Sequence, residues 1–237
     1  MKRQLIVLMG LDGSGKTTQA NLLASDLGAR GIKAEVVWMR GESYLTRPLL
    51  KVAKTILRAP KAAKRGQTDE PEAYERYVSG KRSVFKNRAA RGLWRSLVIA
   101  DFYITLRIAF SKIPSSTRVV LLDRYLYDSL IDIVSGYGGG EEVLKQLLAS
   151  KAARIFPRPD MVVLLDLEPA EAMRRKDDIP SLGYLEERYD LYHVVAREVG
   201  AVTVDASRPL ENVRAAIAEA VKQVLPDSGS DQKGDSR

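Results

Sequence analysis

The residues best suited to chemistry in this chain are the eight that begin at Gly10. They match the pattern G-x-x-x-x-G-K-[ST] and read Gly10-Leu11-Asp12-Gly13-Ser14-Gly15-Lys16-Thr17. Three glycines allow a backbone that turns several N–H groups toward one anion, and a lysine and a hydroxyl follow directly. The pattern therefore predicts a phosphate-binding loop.

The segments on either side of this loop support the same interpretation. An apolar run at residues 5–9 precedes it, and a helix-like stretch at residues 17–27 adds the partial positive charge of a helix N-terminus. We expect a nucleoside triphosphate here, with Lys16 on its β- and γ-phosphates and the Thr17 hydroxyl on Mg²⁺. The alternative is a glycine-rich turn without a ligand. The predicted ATP-binding residues are Gly10, Leu11, Asp12, Gly13, Ser14, Gly15, Lys16, Thr17 and Thr18.

A second candidate pair, Asp123 and Arg124, follows an apolar segment at residues 118–123. An acid at the end of a buried strand, opposite a phosphate-binding loop, is suited to hold Mg²⁺. An arginine beside it can clamp a phosphate through two N–H groups. We expect Thr17 and Asp123 to bind the metal and Arg124 to be catalytic; the alternative for Asp123 is a buried ion pair with a neighbouring basic residue.

A third candidate is the charged segment that begins at Arg174 and Arg175 and contains proline and glycine. It interrupts a helical pattern at residues 174–184, as expected of a lid that closes over phosphates and excludes water. Its arginines would then stabilise the charge on a transferring phosphoryl group. The alternative is that these residues only favour the C-terminus of a helix.

Short apolar segments that alternate with helical patterns predict the frame for these residues. Beside the run before Gly10, such segments occupy residues 34–39, 118–123, 161–166 and 201–205. Apolar strands of this kind indicate a parallel sheet that is covered by helices on both faces, with the carboxyl ends of all strands at one edge. Gly10, Arg40, Asp123 and Asp166 fall at that edge, where ligands bind in such folds.

Composition excludes several kinds of site. The 237 residues include no cysteine, which excludes disulfides and thiolate nucleophiles, and the one histidine, His193, has no second histidine to share a metal. No run of eighteen apolar residues occurs, so we expect a cytoplasmic protein. We predict one domain, residues 1–226, and a disordered tail at residues 227–237.

The positive charge is concentrated in one part of the chain. Residues 40–95 contain 15 Lys and Arg against 5 Asp and Glu, whereas the whole chain has a net charge of +8. The long helical pattern there predicts a helical insert at about residues 41–117. Its basic surface is either a solvated face or attracts anionic substrates; nucleic acid and membrane are less favoured partners.

These features together resemble the thymidylate kinases among the nucleoside monophosphate kinases. The points of contact are the loop with its acid Asp12, Asp123-Arg124-Tyr125, the entry to the lid at Asp166 and Pro169, and the segment after Asp205. The resemblance implies a P-loop NTPase fold, three-layer α/β/α with a five-stranded parallel sheet, a helical insert after the second strand and a short lid. In such a fold the insert, at about residues 41–117, binds the acceptor. It also implies ATP- and Mg²⁺-dependent phosphorylation of a nucleoside monophosphate, dTMP above all, by a homodimer.

By the same resemblance, Asp12 contacts the 3′-hydroxyl of the deoxyribose and Arg124 holds the acceptor phosphate. In one class of the family the loop carries an arginine at the position of Gly13. Because this chain has glycine there, we expect Arg174 and Arg175 in the lid to supply that charge.

The chain departs from the family pattern in the acceptor half. Arg40-Gly41-Glu42-Ser43 stands where Arg-Glu-Pro-Gly is usual, Ala100-Asp101-Phe102-Tyr103-Ile104 replaces Ala-Asp-Arg-Ala-Gln, and residues 126–130 also differ. We expect the acceptor to contact Asp12, Arg40, Arg95, Phe102, Tyr103, Arg124 and Tyr125, although Phe102 and Tyr103 could instead belong to the core. A kinase with a different acceptor and a regulatory ATPase that binds nucleic acid or a membrane remain the alternative functions.

Overall fold

Five strands form one parallel sheet in the computed structural model, which describes residues 3–39, 46, 88–137 and 139–225. The strands are β1 (Gln4–Gly10), β2 (Ala34–Trp38), β3 (Val119–Asp123), β4 (Met161–Asp166) and β5 (Val202–Asp205). Their order across the sheet is β2-β3-β1-β4-β5. The predicted five-stranded parallel sheet is therefore confirmed.

The three inner strands are buried on both faces, as their uninterrupted apolar sequences predict. Every residue of β3 is buried, and so are all but the first residue of β1 and all but the last residue of β4. Successive side chains of a strand point to opposite faces of the sheet, so burial without alternation requires cover on both sides.

Helices supply that cover. The helices of the described residues are α1 (Lys16–Ala29), α2 (Arg88–Ser111), α3 (Leu126–Tyr137), α4 (Gly140–Leu148), α5 (Pro169–Arg175), α6 (Leu182–Val199) and α7 (Leu210–Lys222), with a 3₁₀ turn at Ala153–Ile155. Helix α1 packs against β1, β2, β3 and α7, and α6 packs against β1 and β4. Helix α6 also packs against α3, and α3 contacts α2 and α4.

Strand register brings the candidate residues to one edge of the sheet. Leu8 of β1 lies opposite Asp123 of β3, and Gly10 lies opposite Leu165 of β4. The phosphate-binding loop therefore leaves β1 between the ends of its two neighbours. This arrangement follows from parallel pairing, which places all carboxyl ends together.

Several predicted regions lie wholly or mainly outside the described residues. Arg40, most of the insert predicted at residues 41–117 and the tail predicted at residues 227–237 belong to these regions. Thr46 is described, and its hydroxyl donates a 2.7 Å hydrogen bond to the buried carboxylate of Asp101 in α2. The division into a domain, an insert and a tail stays a prediction. No helix among the described residues is long and apolar enough to cross a membrane.

The central strand should dominate stability. Replacing Leu8, which is completely buried in β1, with alanine should lower the free energy of unfolding by about 3 kcal/mol, because the substitution leaves a cavity on a covered face of the sheet. Urea unfolding followed by circular dichroism measures this change. Ile155→Ala is the control, since Ile155 is 56% exposed and should change stability by less than about 0.5 kcal/mol. Equal effects would contradict the assignment of Leu8 to the core.

Candidate active site

The loop between β1 and α1 is built from glycines with positive φ angles. The values are +145° at Gly10, +93° at Gly13 and +86° at Gly15, a region that side chains with a Cβ rarely adopt. Gly15 directly precedes α1, so the first N–H groups of the helix face the loop without a side-chain cap. The backbone therefore has the form of an anion-binding cradle.

Gly13 also allows the loop to approach the lid region closely. A Cβ atom at this position would lie 2.7 Å from the carbonyl oxygen of Ala172 in α5. That distance is far below a van der Waals contact, and the obstacle is backbone rather than a flexible side chain. In this arrangement an arginine cannot occupy position 13, so a loop arginine and this placement of α5 exclude each other.

Lys16 is buried at the centre of the loop. Its Nζ donates hydrogen bonds to the carbonyl oxygens of Gly10, at 2.8 Å, and Leu11, at 2.6 Å, and to Ser14 Oγ at 3.5 Å. Burial, together with the nearby guanidinium of Arg124, lowers the pKa of Lys16 to about 8, against the opposing effect of Asp128, Asp12 and Asp123. Lys16 is therefore a desolvated cation next to a second one.

Thr17 and Asp123 meet where α1 begins and β3 ends. Thr17 Oγ1 donates a hydrogen bond to Asp123 Oδ2, and the aspartate is almost completely buried. A hydroxyl and a carboxylate at one point are oxygen ligands of the kind that Mg²⁺ prefers. Among the described residues, no three His, Cys, Asp or Glu side chains cluster as metal ligands. These two residues fit a magnesium ion that takes its remaining ligands from phosphates and water.

Arg124 reaches back from β3 to the loop. Its Nη2 donates to Asp12 Oδ1, and its Nη1 lies 3.7 Å from Asp128 Oδ1. Burial acts to lower the pKa of Arg124, but Asp128, Tyr192 and Asp12 together outweigh it and raise that pKa. The guanidinium thus stays charged in a site that is largely closed to water.

The backbone of Arg124 is also unusual. Its φ angle is +79°, and no other residue except glycine has a positive φ in the described ranges. This conformation costs on the order of 1–3 kcal/mol for a residue with a side chain and persists only when surrounding contacts hold it. The two carboxylates on its guanidinium are such contacts.

The two lid arginines are held by one carboxylate. Glu171 accepts hydrogen bonds from Arg174 Nη2 and, at 2.8 Å, from Arg175 Nε. Arg175 Nη1 also donates to the carbonyl oxygen of Ala206 at 2.9 Å. The side chain of Arg174 is 75% exposed and that of Arg175 35%. Both arginines lie on α5, and they follow Ala172, the residue whose carbonyl oxygen lies against Gly13 of the loop. They are therefore near the place where we predict the phosphates.

The aromatic residues predicted for the acceptor pack together. Phe102 and Tyr103 of α2 each have their ring centroid 5.7 Å from that of Phe156. The buried Tyr125 ring stacks edge-on against Phe102, with centroids 6.1 Å apart, and its hydroxyl donates to the Pro157 carbonyl. These three rings contribute to the core, and their contact with an acceptor stays a prediction. Arg95 is exposed on α2, and Arg40 lies outside the described residues.

His193 contacts an acidic and an aromatic side chain. Its Nε2 lies 3.4 Å from Asp166 Oδ1 at the end of β4, and its ring centroid lies 4.4 Å from that of Tyr189. Tyr189 in turn donates to Glu168 at 3.3 Å. Burial, Asp166 and Glu168 raise the pKa of Tyr189 to about 12. This cluster fixes α6 against the edge of the sheet.

Sequence reasoning missed two residues of the site, Asp128 and Tyr192. The Asp128 carboxylate accepts hydrogen bonds from Tyr125 N at 2.9 Å and from the Tyr192 hydroxyl at 2.6 Å. The residue three before Asp128 is Tyr125, not the Ser or Thr of a capping box, so the local sequence carries no clear signal for this acid. Tyr192 follows it by 64 residues, and nothing in the local pattern links the two.

The close contact at Gly13 can be tested through stability. Gly13→Ala should lower the free energy of unfolding by about 1–3 kcal/mol, because it strains the backbone and pushes against Ala172. Gly28→Ala is the matched control, since Gly28 lies in α1 with open space around it, and alanine there should stabilise the helix by up to about 1 kcal/mol. Urea unfolding measures both. Equal stability of Gly13→Ala and the wild type would contradict the contact.

The lowered pKa of Lys16 predicts its reactivity. Its amine should reach half of its maximal labelling by acetic anhydride at a pH of about 8, whereas Lys145, whose pKa Glu141 raises, should require a pH above 10.5. Competitive labelling with peptide mass spectrometry measures both lysines in one sample. Between pH 8 and 10.5 the Lys16 amine is mostly protonated in the unfolded chain and mostly neutral in the folded one. The unfolded chain therefore binds more protons, and the free energy of unfolding should rise with pH across this range. A midpoint near 10.5 for Lys16 would refute the shift.

Comparison with known proteins agrees with this geometry. The sequence profile of the family described as thymidylate kinase matches residues 96–217, slightly more than half of the chain. These residues include Asp123, Arg124 and the lid arginines. A protein of Archaeoglobus fulgidus named "Probable thymidylate kinase" is 26% identical over 227 residues, which cover 93% of this chain and 96% of that protein. With the phosphate-binding loop and the sheet order described above, the match shows that this chain belongs to the thymidylate kinase family and is a phosphotransferase.

Proposed function

We propose that the protein transfers the γ-phosphoryl group of Mg²⁺-ATP to the phosphate of dTMP, giving dTDP and ADP. The observation that carries this proposal is the pair formed by Arg124 and Asp12 beside Lys16. A phosphate-binding lysine there adjoins an arginine and an acid suited to the phosphate and sugar of a second nucleotide. Membership of the family supports the same reaction.

On the donor side, the backbone N–H groups of the loop would bind the phosphates of ATP, and Lys16 would leave the loop carbonyls to contact its β- and γ-phosphates. Thr17 and Asp123 would hold Mg²⁺, which neutralises phosphate charge when bound. Positioning and electrostatics do most of the work in phosphoryl transfer. The absence of cysteine from the chain is therefore no objection.

On the acceptor side, Arg124 would bind the phosphate of dTMP and Asp12 the 3′-hydroxyl of its sugar. In the free protein these two side chains are hydrogen-bonded to each other, so the acceptor must exchange this ion pair for contacts of its own. A ligand with a phosphate for the arginine and a hydroxyl for the aspartate satisfies both partners. A ligand with only one of these groups separates the pair but replaces the lost contact for only one of the two side chains, which is costly in a largely buried site.

The lid would complete the site. Arg174 and Arg175 share Glu171 as a partner, and the largely exposed Arg174 can exchange that contact for a phosphate at little cost. Closure of residues 174–184 would exclude water and place positive charge on the transferring group. The acceptor phosphate would then attack the γ-phosphorus in line, without a covalent enzyme intermediate.

One observation favours a second candidate, a kinase of the same fold with a different acceptor. Phe102 and Tyr103, which stand in place of the family's Arg-Ala, are packed against Phe156. The arginine and glutamine that the family pattern places at positions 102 and 104, facing the nucleotide and its base, are thus replaced by Phe102 and Ile104. Another nucleotide, a nucleoside or a phosphorylated sugar would then be the acceptor.

A cytoplasmic homodimer belongs to the same proposal. The resemblance implies dimerisation through helices packed on the sheet, and helix α2 carries Leu93, whose side chain is 75% exposed. The homodimer rests on that resemblance, because a single exposed leucine is common on protein surfaces.

An acceptor panel tests the function. With ATP and Mg²⁺, ADP formation should be fastest with dTMP and slower with dUMP, dCMP, dAMP, dGMP, UMP and thymidine, because the family resemblance implies dTMP. A coupled assay measures each rate against a reaction without acceptor. Turnover led by another acceptor would replace dTMP and support the second candidate. ADP formation that no acceptor increases would refute the kinase.

Variants tie that activity to the site. Lys16→Ala and Arg124→Ala should each lower kcat/KM by at least about a hundredfold, because each removes a charge that the transition state needs. Arg107→Ala is the control, since Arg107 is an exposed arginine of α2 and should stay within about twofold of the wild type. A Lys16→Ala protein with near-wild-type activity would refute the donor assignment.

A further inference from the structure

A second carboxylate, that of Asp128, lies next to Arg124 and is buried. Asp128 is 5% exposed and belongs to the first turn of α3. Its Oδ2 accepts the N–H of Tyr125 at 2.9 Å, and its Oδ1 accepts the Tyr192 hydroxyl at 2.6 Å. Arg124 Nη1 lies 3.7 Å from the same Oδ1. Both oxygens of this acid are therefore engaged around one guanidinium.

Helix capping explains only part of this arrangement. An acid at the third helical position that accepts the N–H of the residue before the helix is half of a capping box. That role needs one oxygen and no partner on another helix. Asp128 uses its second oxygen on Tyr192 and sits within reach of Arg124, so the geometry serves more than the start of α3.

Tyr192 connects this carboxylate to the helix that follows the predicted lid. It is buried on α6, the helix that begins at Leu182, where the predicted lid segment ends. One turn after Asp128, a second contact joins the same two helices, since Arg188 of α6 binds Asp132 of α3 at 3.0 Å. The Asp132 side chain is 53% exposed. The two acids thus make similar helix contacts, but only Asp128 lies against Arg124 Nη1.

We propose that Asp128, held by Tyr192, is a positioning residue that anchors Arg124 Nη1 while Nη2 passes from Asp12 to the phosphate of the acceptor. The proposal rests on the proposed function and extends it to a residue outside the catalytic contacts. Arg124 combines a long flexible side chain with a strained backbone. A contact at Nη1 is therefore needed to keep the guanidinium in one orientation. A fixed anchor lowers the entropy lost when the guanidinium binds its ligand.

Charge gives a second reason for an acid at this place. Arg124 and Lys16 are buried cations that affect each other, and Asp128 is among the groups that offset this repulsion. Without it, Arg124 would depend on Asp12 alone among the close carboxylates described here. Its bond to Asp12 would then compete more strongly with the acceptor phosphate.

Steady-state kinetics with matched variants test the proposal. Asp128→Asn keeps the size of the side chain and one acceptor oxygen for Tyr125 N–H, while its NH2 group can donate to the Tyr192 hydroxyl. It removes the charge and should raise the KM of the acceptor roughly tenfold. The KM of ATP should stay within about threefold, because the donor contacts are retained. Asp132→Asn is the control and should leave both values within about twofold. An acceptor KM within twofold of the wild type in Asp128→Asn would overturn the proposal, as would equal rises in both constants.

Tyr192→Phe separates positioning from folding. It removes only the hydroxyl and should raise the acceptor KM about threefold, since one hydrogen bond to the anchor is lost. The double variant with Asp128→Asn should be no worse than Asp128→Asn alone, because both act through one contact. Additive effects would contradict the shared route. If Asp128→Asn does not fold, Tyr192→Phe decides, and an unchanged acceptor KM overturns the proposal.

A measurement without substrate distinguishes failure of this proposal from failure of the proposed function. Phenylglyoxal modifies accessible arginines, and peptide mass spectrometry follows the reaction at Arg124. Its rate should rise several-fold in Asp128→Asn and in Tyr192→Phe and stay unchanged in Asp132→Asn, because only the first two loosen the anchor. Equal rates in all four proteins would overturn the anchor. Faster modification in a protein that phosphorylates no acceptor would retain the anchor and reject the kinase.

Discussion

Two positive charges, Lys16 and Arg124, share a space that is largely closed to water. Each charge makes it less favourable for the other to stay protonated, as the pKa of Lys16 shows, which burial and Arg124 both lower. The protein can keep both charged only with carboxylates nearby, and Asp12 and Asp128 contact the arginine while Asp123 lies within electrostatic reach of the lysine. The fold delivers these acids from the loop, β3 and α3, so the charge balance depends on the strand register.

Much of the frame and of the donor half could be predicted from the sequence for a local reason. Continuous apolar strands identify themselves, and a loop with three glycines and a lysine carries its geometry in neighbouring residues. The pairing of Asp12 with Arg124 spans 112 residues. The sequence placed both at one edge but could not show that they bind each other. The contact of Tyr192 with Asp128 had no local signal at all, because it depends on how α6 crosses α3.

The acceptor half was harder to read because its polar pattern is absent. Phe102 and Tyr103 were ambiguous between a base-binding surface and the core, and helical periodicity alone does not separate these roles. The structure packs them with Phe156 and Tyr125, and these contacts come from a 3₁₀ turn and a strand end that are distant in sequence. Side chains of this kind shape a site by the volume they fill rather than by hydrogen bonds.

The approach of Gly13 to Ala172 also limits how such an enzyme can change over time. The carbonyl oxygen of Ala172 occupies the place of any Cβ at position 13. A single substitution to arginine would therefore disturb α5, which carries Arg174 and Arg175, before the new charge could replace theirs. An arginine at position 13 would therefore require that α5 first move away from the loop, together with the two arginines that it carries. Backbone contact thus makes a side chain at position 13 and this position of α5 mutually exclusive, so that one cannot replace the other by a single substitution.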